Sequence, residues 1–453
     1  MPYISTNPAN NQVVSTIPTI DPIELQAKLS IAQTAQKSWS KTTLPERKTL
    51  TKVLAQLFRD KRQGLAGLIT LEMGCPITQA LAEIDKCASM TDSFADNFEL
   101  WLAPEIVQTT PKLMAVHFDP VGTLFHIAPW NYPFYLSLRP IVPAILAGNS
   151  LVLKPASNVG LIGQKIQELF KEADFPAGVM QTIFVDTTMT DQIISHEAVQ
   201  VISLIGSERA GSAVGAIAGK HIKKTVMELG GNDPMLVYAD SDITKAIDGI
   251  MASRMRNCGQ SCNAPKRIIV EDSVYENFVE ALKIEVSQII IGDPLLPETQ
   301  MGPISSERAR TEVLEMIDQS IGLGAVLILG GKAIDRAGSY MQPTILGDVT
   351  KGMPVFVEEC FGPVISLIRA SRLDMVELAN DSKYGLGASI WTADIEFAKT
   401  LIPQIESGNV YINSVVRGDP LLPFGGVKKT GFGREFSHYG IKEFVNIKSV
   451  VIS

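Results

Sequence analysis

Residues 199–231 read VQVISLIGSERAGSAVGAIAGKHIKKTVMELGG. The stretch opens on an apolar β-branched run, turns at Gly206-Ser207, continues at helical spacing to Lys220, and returns to a second apolar run that stops at Glu228 before two glycines. A strand, a helix and a strand of these lengths predict a βαβ unit, and βαβ units imply a parallel sheet buried on both faces. Outward from it the texture repeats. Residues 122–128, 150–154 and 179–185 are strand-like, and 159–173 and 189–196 are helical between them. Beyond Pro234 a second series begins, with strands predicted at 235–237, 267–270, 326–329, 364–368, 388–391 and 409–412, and helices at 243–257 and 274–290. Residues 22–60 and 62–100 read as helical, with Leu25, Leu29, Ala32 and Ala35 at helical spacing and a break at Gly74 and Pro76. Two β-rich stretches, 112–119 and 444–452, fit neither series, and strands of that kind stay ordered when something pairs with them.

Composition narrows the class. A chain of 453 residues suggests two or three domains, and 45% hydrophobic with 19% charged residues suggests large cores or a buried subunit interface. The net charge of -8 leaves no surplus of cations for nucleic acid. Five cysteines, an odd and sparse set, do not make a disulfide framework and point to a reducing, cytoplasmic setting. No apolar run is long enough to span a membrane. His117, His126, His196, His221 and His438 lack metal-ligand spacing, so no metal is expected.

Several residues carry chemistry. Cys262, in NCGQSCNAPKR (257–267), lies on a predicted loop where a thiolate can attack a carbonyl, the alternative being an inert buried thiol. Glu228 at a strand end beside Gly230 and Gly231 suits a general base, or a solvated turn. Asn131, in PWNYPF (129–134), suits oxyanion stabilisation, or a turn. No GxGxxG follows a strand. Instead Gly206 and Ser207 open a helix whose N-terminus can take a phosphate, while Gly211, Gly215 and Gly219 form a ridge for a ligand or for close packing. Lys154 and Ser157 end another strand and can meet ribose hydroxyls or a 2′-phosphate.

In this order, PWNYP (129–133), KP (154–155), GS (206–207), ELGG (228–231), GQSC (259–262), GDP (292–294), MGP (301–303), ECFGP (359–363) and PFGG (423–426) closely resemble the aldehyde dehydrogenase superfamily from about residue 20 onward, and most of all its compact bacterial succinate-semialdehyde dehydrogenases. The resemblance implies two doubly wound α/β domains and a small β oligomerisation arm: a dinucleotide-binding domain over 1–108 and 125–229, a catalytic domain over 230–425, and an arm from 109–124 and 436–453. It implies that Cys262 forms a thiohemiacetal and then a thioester, that Asn131 and the Cys262 N–H hold the oxyanion, and that Glu228 activates the hydrolytic water. Trp130, Lys154, Glu359 and Phe361 fall at positions that meet the cofactor, and a homodimer or homotetramer is implied.

Two departures bear on specificity. NAD-preferring relatives commonly carry glutamate where this chain has Ser157, so NADP is expected, with NAD possible. The family's Phe-Thr-Gly-Ser is Leu204-Ile-Gly-Ser207 here. Arg139 lies eight residues after Asn131, about 12 Å along a helix, where it can clamp a distal carboxylate. With Ser261 it is the expected substrate contact; a surface arginine is the alternative. Relatives acting on neutral aldehydes often carry an aromatic at the Arg139 position, while succinate-semialdehyde dehydrogenases resemble this chain in carrying arginine. The resemblance therefore implies succinate semialdehyde as substrate, with a general aliphatic or other ω-carboxylated aldehyde, acyl transfer to coenzyme A and a non-catalytic binding protein as the other readings. Cys258, four residues before Cys262, would share a helical face with it if the helix ran on, allowing a redox lock; a buried structural thiol is the other reading.

Overall fold

The computed structural model describes residues 1–453 and contains two large α/β sheets. The first runs Gly431–Phe432, Lys224–Glu228, Val199–Ile205, Thr123–Ile127, Ser150–Lys154, Met180–Thr182. All its pairings are parallel except that of Gly431–Phe432, which lies antiparallel to Lys224–Glu228. The chain enters at Thr123–Ile127, winds outward through Ser150–Lys154, then crosses back to Val199–Ile205 on the other side. The order reverses there, and in open α/β sheets the ligand crevice lies at such a switch point, beyond the carboxyl ends of the strands. The PWN and GS turns follow the two strands that flank it.

Successive residues in this sheet face opposite cores. Leu124 packs into the larger apolar cluster and Phe125 into the smaller. Each such side chain contributes roughly 1.5–3 kcal/mol when fully buried, which is why near-continuous apolar runs mark these strands. The second sheet runs Val326–Leu329, Thr344–Gly347, Val364–Ala370, Arg267–Glu271, Pro234–Val237, Gly387–Trp391, Asn409–Ile412, with only the first pair antiparallel. The expected strand at 179–185 shortens to Met180–Thr182.

The N-terminal helical region is split. Helix Pro22–Trp39 ends before a turn, and Leu44–Asp60 begins with a reciprocal cap between Thr43 and Glu46, a break that helical periodicity alone does not show. The second region breaks into Arg62–Met73 and Ile77–Trp101, as Gly74 and Pro76 suggest; Gly74 takes φ +70°. An N-terminal hairpin, Tyr3–Asn7 with Gln12–Ile17, had no expected counterpart.

The two odd β stretches pair with each other. Val445–Ile452 runs antiparallel to Leu113–Pro120 through eight residue pairs, and Glu105–Gln108 completes a three-stranded sheet. Ile106, Val107, Met114, Ile447, Val451 and Ile452 remain exposed on it. No helix is long and apolar enough to cross a membrane.

Candidate active site

Helix Pro133–Leu146 carries the PWNYP turn at its start and is buried throughout. Its first N–H groups have no carbonyl partners, and the buried Glu83 carboxylate from helix Ile77–Trp101 supplies one, accepting from Phe134 N and Tyr135 N at 3.0 Å each. Burial raises the Glu83 pKa to about 7, and those two donors pull the other way. Pro140 and Pro143 sit inside the helix and free two carbonyls, one of them Leu136 O. His126, buried on the neighbouring strand, lies against that carbonyl and bonds Ser203 O through Nδ1 at 3.2 Å.

The loop that carries Cys262 is held from several sides. Helix Ile243–Ser253 stops short of the expected 257, and Asn257 and Cys258 take φ of +48° and +55° in the turn that follows. Arg254, fully buried, donates from Nε to Val364 O, from Nη1 to Gly259 O and from Nη2 to Cys360 O at 2.6–3.1 Å. Lys266, equally buried, donates to Ser261 O at 2.7 Å and to Cys262 O, and pairs with Glu359 at 3.3 Å. A Cβ on Gly231 would fall 2.5 Å from Cys262 O, and one on Gly259 2.1 Å from Gly362 O. The ELGG, GQSC and ECFGP segments therefore need glycine to touch one another. The left-handed turn breaks the helical relation between Cys258 and Cys262. Cys258 is buried in the second sheet's core with Sγ 3.6 Å from Gly302 O, whereas Cys262 packs against the first sheet's core, so a lock between the two gains no support.

Asn131 and Glu228 stand around Cys262. Asn131 donates from Nδ2 to Gln260 O at 3.1 Å, and its own carbonyl accepts from Asn257 Nδ2 at 2.7 Å. The amide carries two N–H bonds, so one remains for a developing oxyanion. Glu228 is buried with Oε1 unpartnered, and a Cβ on Gly425 would stand 2.8 Å from that oxygen. Burial, then the nearby Glu435 charge, raises its pKa to about 8. The Cys262 thiol is pushed up to about 12 by burial, with Lys266 opposing and the Glu359 charge adding to the rise. Ser261 is buried and donates to Asn263 Oδ1 at 2.7 Å.

On the cofactor side, Ser207 caps helix Glu208–Lys220, accepting from Ala210 N at 3.3 Å. Ser207, Glu208, Arg209, Ser212, Glu359 and Tyr384 help line a cleft of about 770 Å³ between the two sheets. Nothing lies within ordinary contact of a Cβ on Gly206 except Leu204 at 3.6 Å, which leaves the turn open to a ligand. Glu359 Oε1 accepts from Gly231 N at 3.1 Å, and Trp130 and Phe361 meet edge to face at 5.6 Å. Lys154 is half-buried, makes no ion pair, and lies 5.6 Å from the Tyr3 ring, while Ser157 is exposed nearby in sequence. A lysine without an ion pair, an exposed hydroxyl and a helix N-terminus of which Ser207 caps one N–H fit a phosphorylated dinucleotide. On the glycine ridge, a Cβ on Gly211 would strike Leu229 at 2.5 Å, so that residue serves helix–strand packing.

Arg139 is not on the surface. It is buried, paired with the equally buried Glu435, and stacked 4.7 and 4.8 Å from the Phe424 and Phe436 rings. Lys86 stands near it; its ammonium lies 4.1 Å over the Tyr135 ring and is pushed down to about 8 by burial and by the Arg139 and Arg256 charges, and Arg256 Nε is buried without a partner. Sequence reasoning singled out neither Arg256, Lys266, Glu83 nor Glu435. The signal for Lys266 was a lysine at the mouth of an apolar strand four residues after Cys262.

The family model described as the aldehyde dehydrogenase family matches residues 2–450. The chain belongs to the aldehyde dehydrogenase family. This aldehyde dehydrogenase is 39% identical, over all of both chains, to a probable succinate-semialdehyde dehydrogenase [NADP(+)] of Synechocystis sp., and 37% identical over all of both chains to succinate-semialdehyde dehydrogenase [NADP(+)] 1 of Mycobacterium bovis. It superimposes on the succinic semialdehyde dehydrogenase from Streptococcus pyogenes in complex with NADP+ with a TM-score of 0.97 at 36% identity, covering 99% of each chain. The two-sheet α/β architecture inferred from the sequence is thus the architecture of the family.

Proposed function

We propose that this aldehyde dehydrogenase oxidises a short aldehyde bearing a distal carboxylate, succinate semialdehyde first, to the carboxylic acid, with NADP preferred over NAD. The observation that carries the reading is the buried Arg139 on helix Pro133–Leu146, which begins just after Asn131, with Lys86 of helix Ile77–Trp101 close by. The names of the bacterial relatives support the same substrate and cofactor.

The chemistry follows from the geometry. The Cys262 thiol releases its proton to water and the thiolate attacks the aldehyde carbon, forming a thiohemiacetal. Asn131 Nδ2 and the Cys262 N–H donate to the oxygen as negative charge grows there. When bound, the nicotinamide supplies the hydride acceptor that leaves a Cys262 thioester. Glu228 then takes a proton from water, which hydrolyses the thioester. Ser207, the helix it caps, Lys154, Ser157, Glu359, Trp130 and Phe361 would hold the dinucleotide, and Gly206 keeps the turn open for it. Glu228 also favours hydrolysis over acyl transfer to coenzyme A, because a buried base unpartnered at Oε1 serves water. The exposed apolar residues of the three-stranded sheet would associate with a second copy.

The test is a matrix of NADP and NAD against succinate semialdehyde and hexanal, on wild type and Arg139→Ala, followed at the reduced nicotinamide band. The expected result is NADP preference, with a KM for succinate semialdehyde raised at least about 100-fold in the variant and a hexanal KM little changed, since a desolvated arginine–carboxylate pair is worth about 3 kcal/mol or more. Equal effects on both aldehydes would refute the clamp.

A further inference from the structure

Glu435 is the least explained charge in the molecule. It lies on the segment that bridges back to Phe424, with Glu435 N donating to Phe424 O at 2.7 Å and Phe424 N to Glu435 O at 2.8 Å. That pairing fixes its backbone, and its side chain is buried. Neither carboxylate oxygen receives a well-aligned hydrogen bond; the Arg139 guanidinium is its only counter-charge. The groups facing it from each packed element are few. Helix Pro133–Leu146 presents Arg139 and Tyr135, strand Lys224–Glu228 presents Glu228, and Asp419 and Cys262 stand close to Tyr135 and Arg139. Arg434, beside it in sequence, spends Nη1 on Gly426 O and Gly433 O. Lys86 lies behind Tyr135.

We propose that Glu435 is the resting counter-ion of Arg139, and that a substrate carboxylate arriving at Arg139 makes Glu435 take up one proton. The inference rests on Arg139 being the carboxylate clamp. Arg139 then faces Glu435, Glu228 and the substrate in a water-poor site, and two carboxylates sharing one site cannot both stay ionised without large cost. Glu435 cannot swing out, so it relieves the repulsion by protonation. The proton comes from solvent, adds to a carboxylate oxygen as an O–H bond, and leaves when product leaves; no electrons move. Burial already raises the proton affinity of Glu435 in the resting enzyme, and the arginine alone opposes it. Glu435 is thus a specificity-determining residue that substitutes for the substrate's charge between turnovers.

The experiment is calorimetric titration of the full chain at pH 8 with succinamate, a short monocarboxylate whose amide replaces the aldehyde, in two buffers of different ionisation enthalpy. Wild type is expected to take up about one proton per site. Glu435→Gln is expected to take up none and to bind succinamate at least about tenfold more tightly at that pH, because no proton has to be acquired. Buffer-independent heats in wild type, or proton uptake persisting in Glu435→Gln, would overturn the proposal. If that variant fails to fold, the wild-type buffer dependence alone decides. Arg139→Ala separates the two readings: undiminished binding there removes the clamp and this inference together, whereas lost binding there with no proton uptake in wild type removes only this inference.

Discussion

Replacing Lys266 by methionine is expected to weaken both the fold and the nucleophile. The ammonium is fully buried and holds the carbonyls of Ser261 and Cys262 while pairing with Glu359. Hydrogen bonds from a charged donor contribute about 1.5–3 kcal/mol each, and a carbonyl orphaned in the core costs about 1–3 kcal/mol. Against this, methionine avoids burying an ammonium, which returns several kcal/mol. Glu359 keeps its bond from Gly231 N and some exposure, so it is not stranded. The net loss is about 3 kcal/mol. Lys266 is also the largest influence opposing the rise in the Cys262 pKa, so its removal sends that pKa higher and the thiolate fraction lower. The assay is iodoacetamide alkylation across pH with peptide mapping of Cys262, beside urea unfolding. Alkylation at pH 8 should slow at least about tenfold, with Lys266→Arg recovering part of it. Unchanged alkylation and an unchanged unfolding midpoint would show that the lysine neither seats nor activates the loop.

Three further outcomes follow from the site. Ser157→Glu should move preference from NADP toward NAD by about 10–100-fold in kcat/KM, through repulsion of a 2′-phosphate and new bonds to ribose hydroxyls; steady-state kinetics with both cofactors checks it, and an unmoved ratio places the phosphate elsewhere. Glu228 is protonated below about 8, so its base form grows as pH rises, and kcat limited by thioester hydrolysis should climb about tenfold per unit up to that point; a flat profile from pH 6.5 to 8.5 would remove Glu228 as the base. His126 is lowered to about 4 by burial, so the unfolded chain binds the proton first; its stabilisation is full above an unfolded value of about 6.5 and disappears as pH falls through 4, a loss of about 3 kcal/mol. Urea midpoints between pH 4 and 7 measure that slope, which His126→Asn should flatten.

What the sequence disclosed and what it hid divide along physical lines. Strand runs such as 199–205 and 224–228 are legible because burial on both faces demands continuous apolar residues. Cys262, Glu228 and Asn131 are legible because each ends or follows a regular element beside glycine or proline. The supports are not. Lys266, Glu83, Arg254 and Glu435 act on backbone groups or charges far along the chain, and an isolated charged letter looks the same whether it faces water or a buried carbonyl. The capped break at Thr43 is hidden because Leu44–Asp60 continues the apolar spacing of Pro22–Trp39. Arg139 looked compatible with the surface because nothing local announces Glu435 across the fold.

The pairing of Gly431 with Glu228, with Leu229 N bonded to Thr430 O at 2.8 Å and Thr430 Oγ1 to Gly230 O at 2.8 Å, has a consequence for biosynthesis. The edge beside the carboxylate is closed by residues translated some two hundred positions later. A ribosome-bound chain that has delivered Cys262 but not yet residue 431 carries its thiol without a seated partner acid. Catalytic competence therefore arrives late in translation, and a product truncated before residue 431 should be inert whatever else of it has folded.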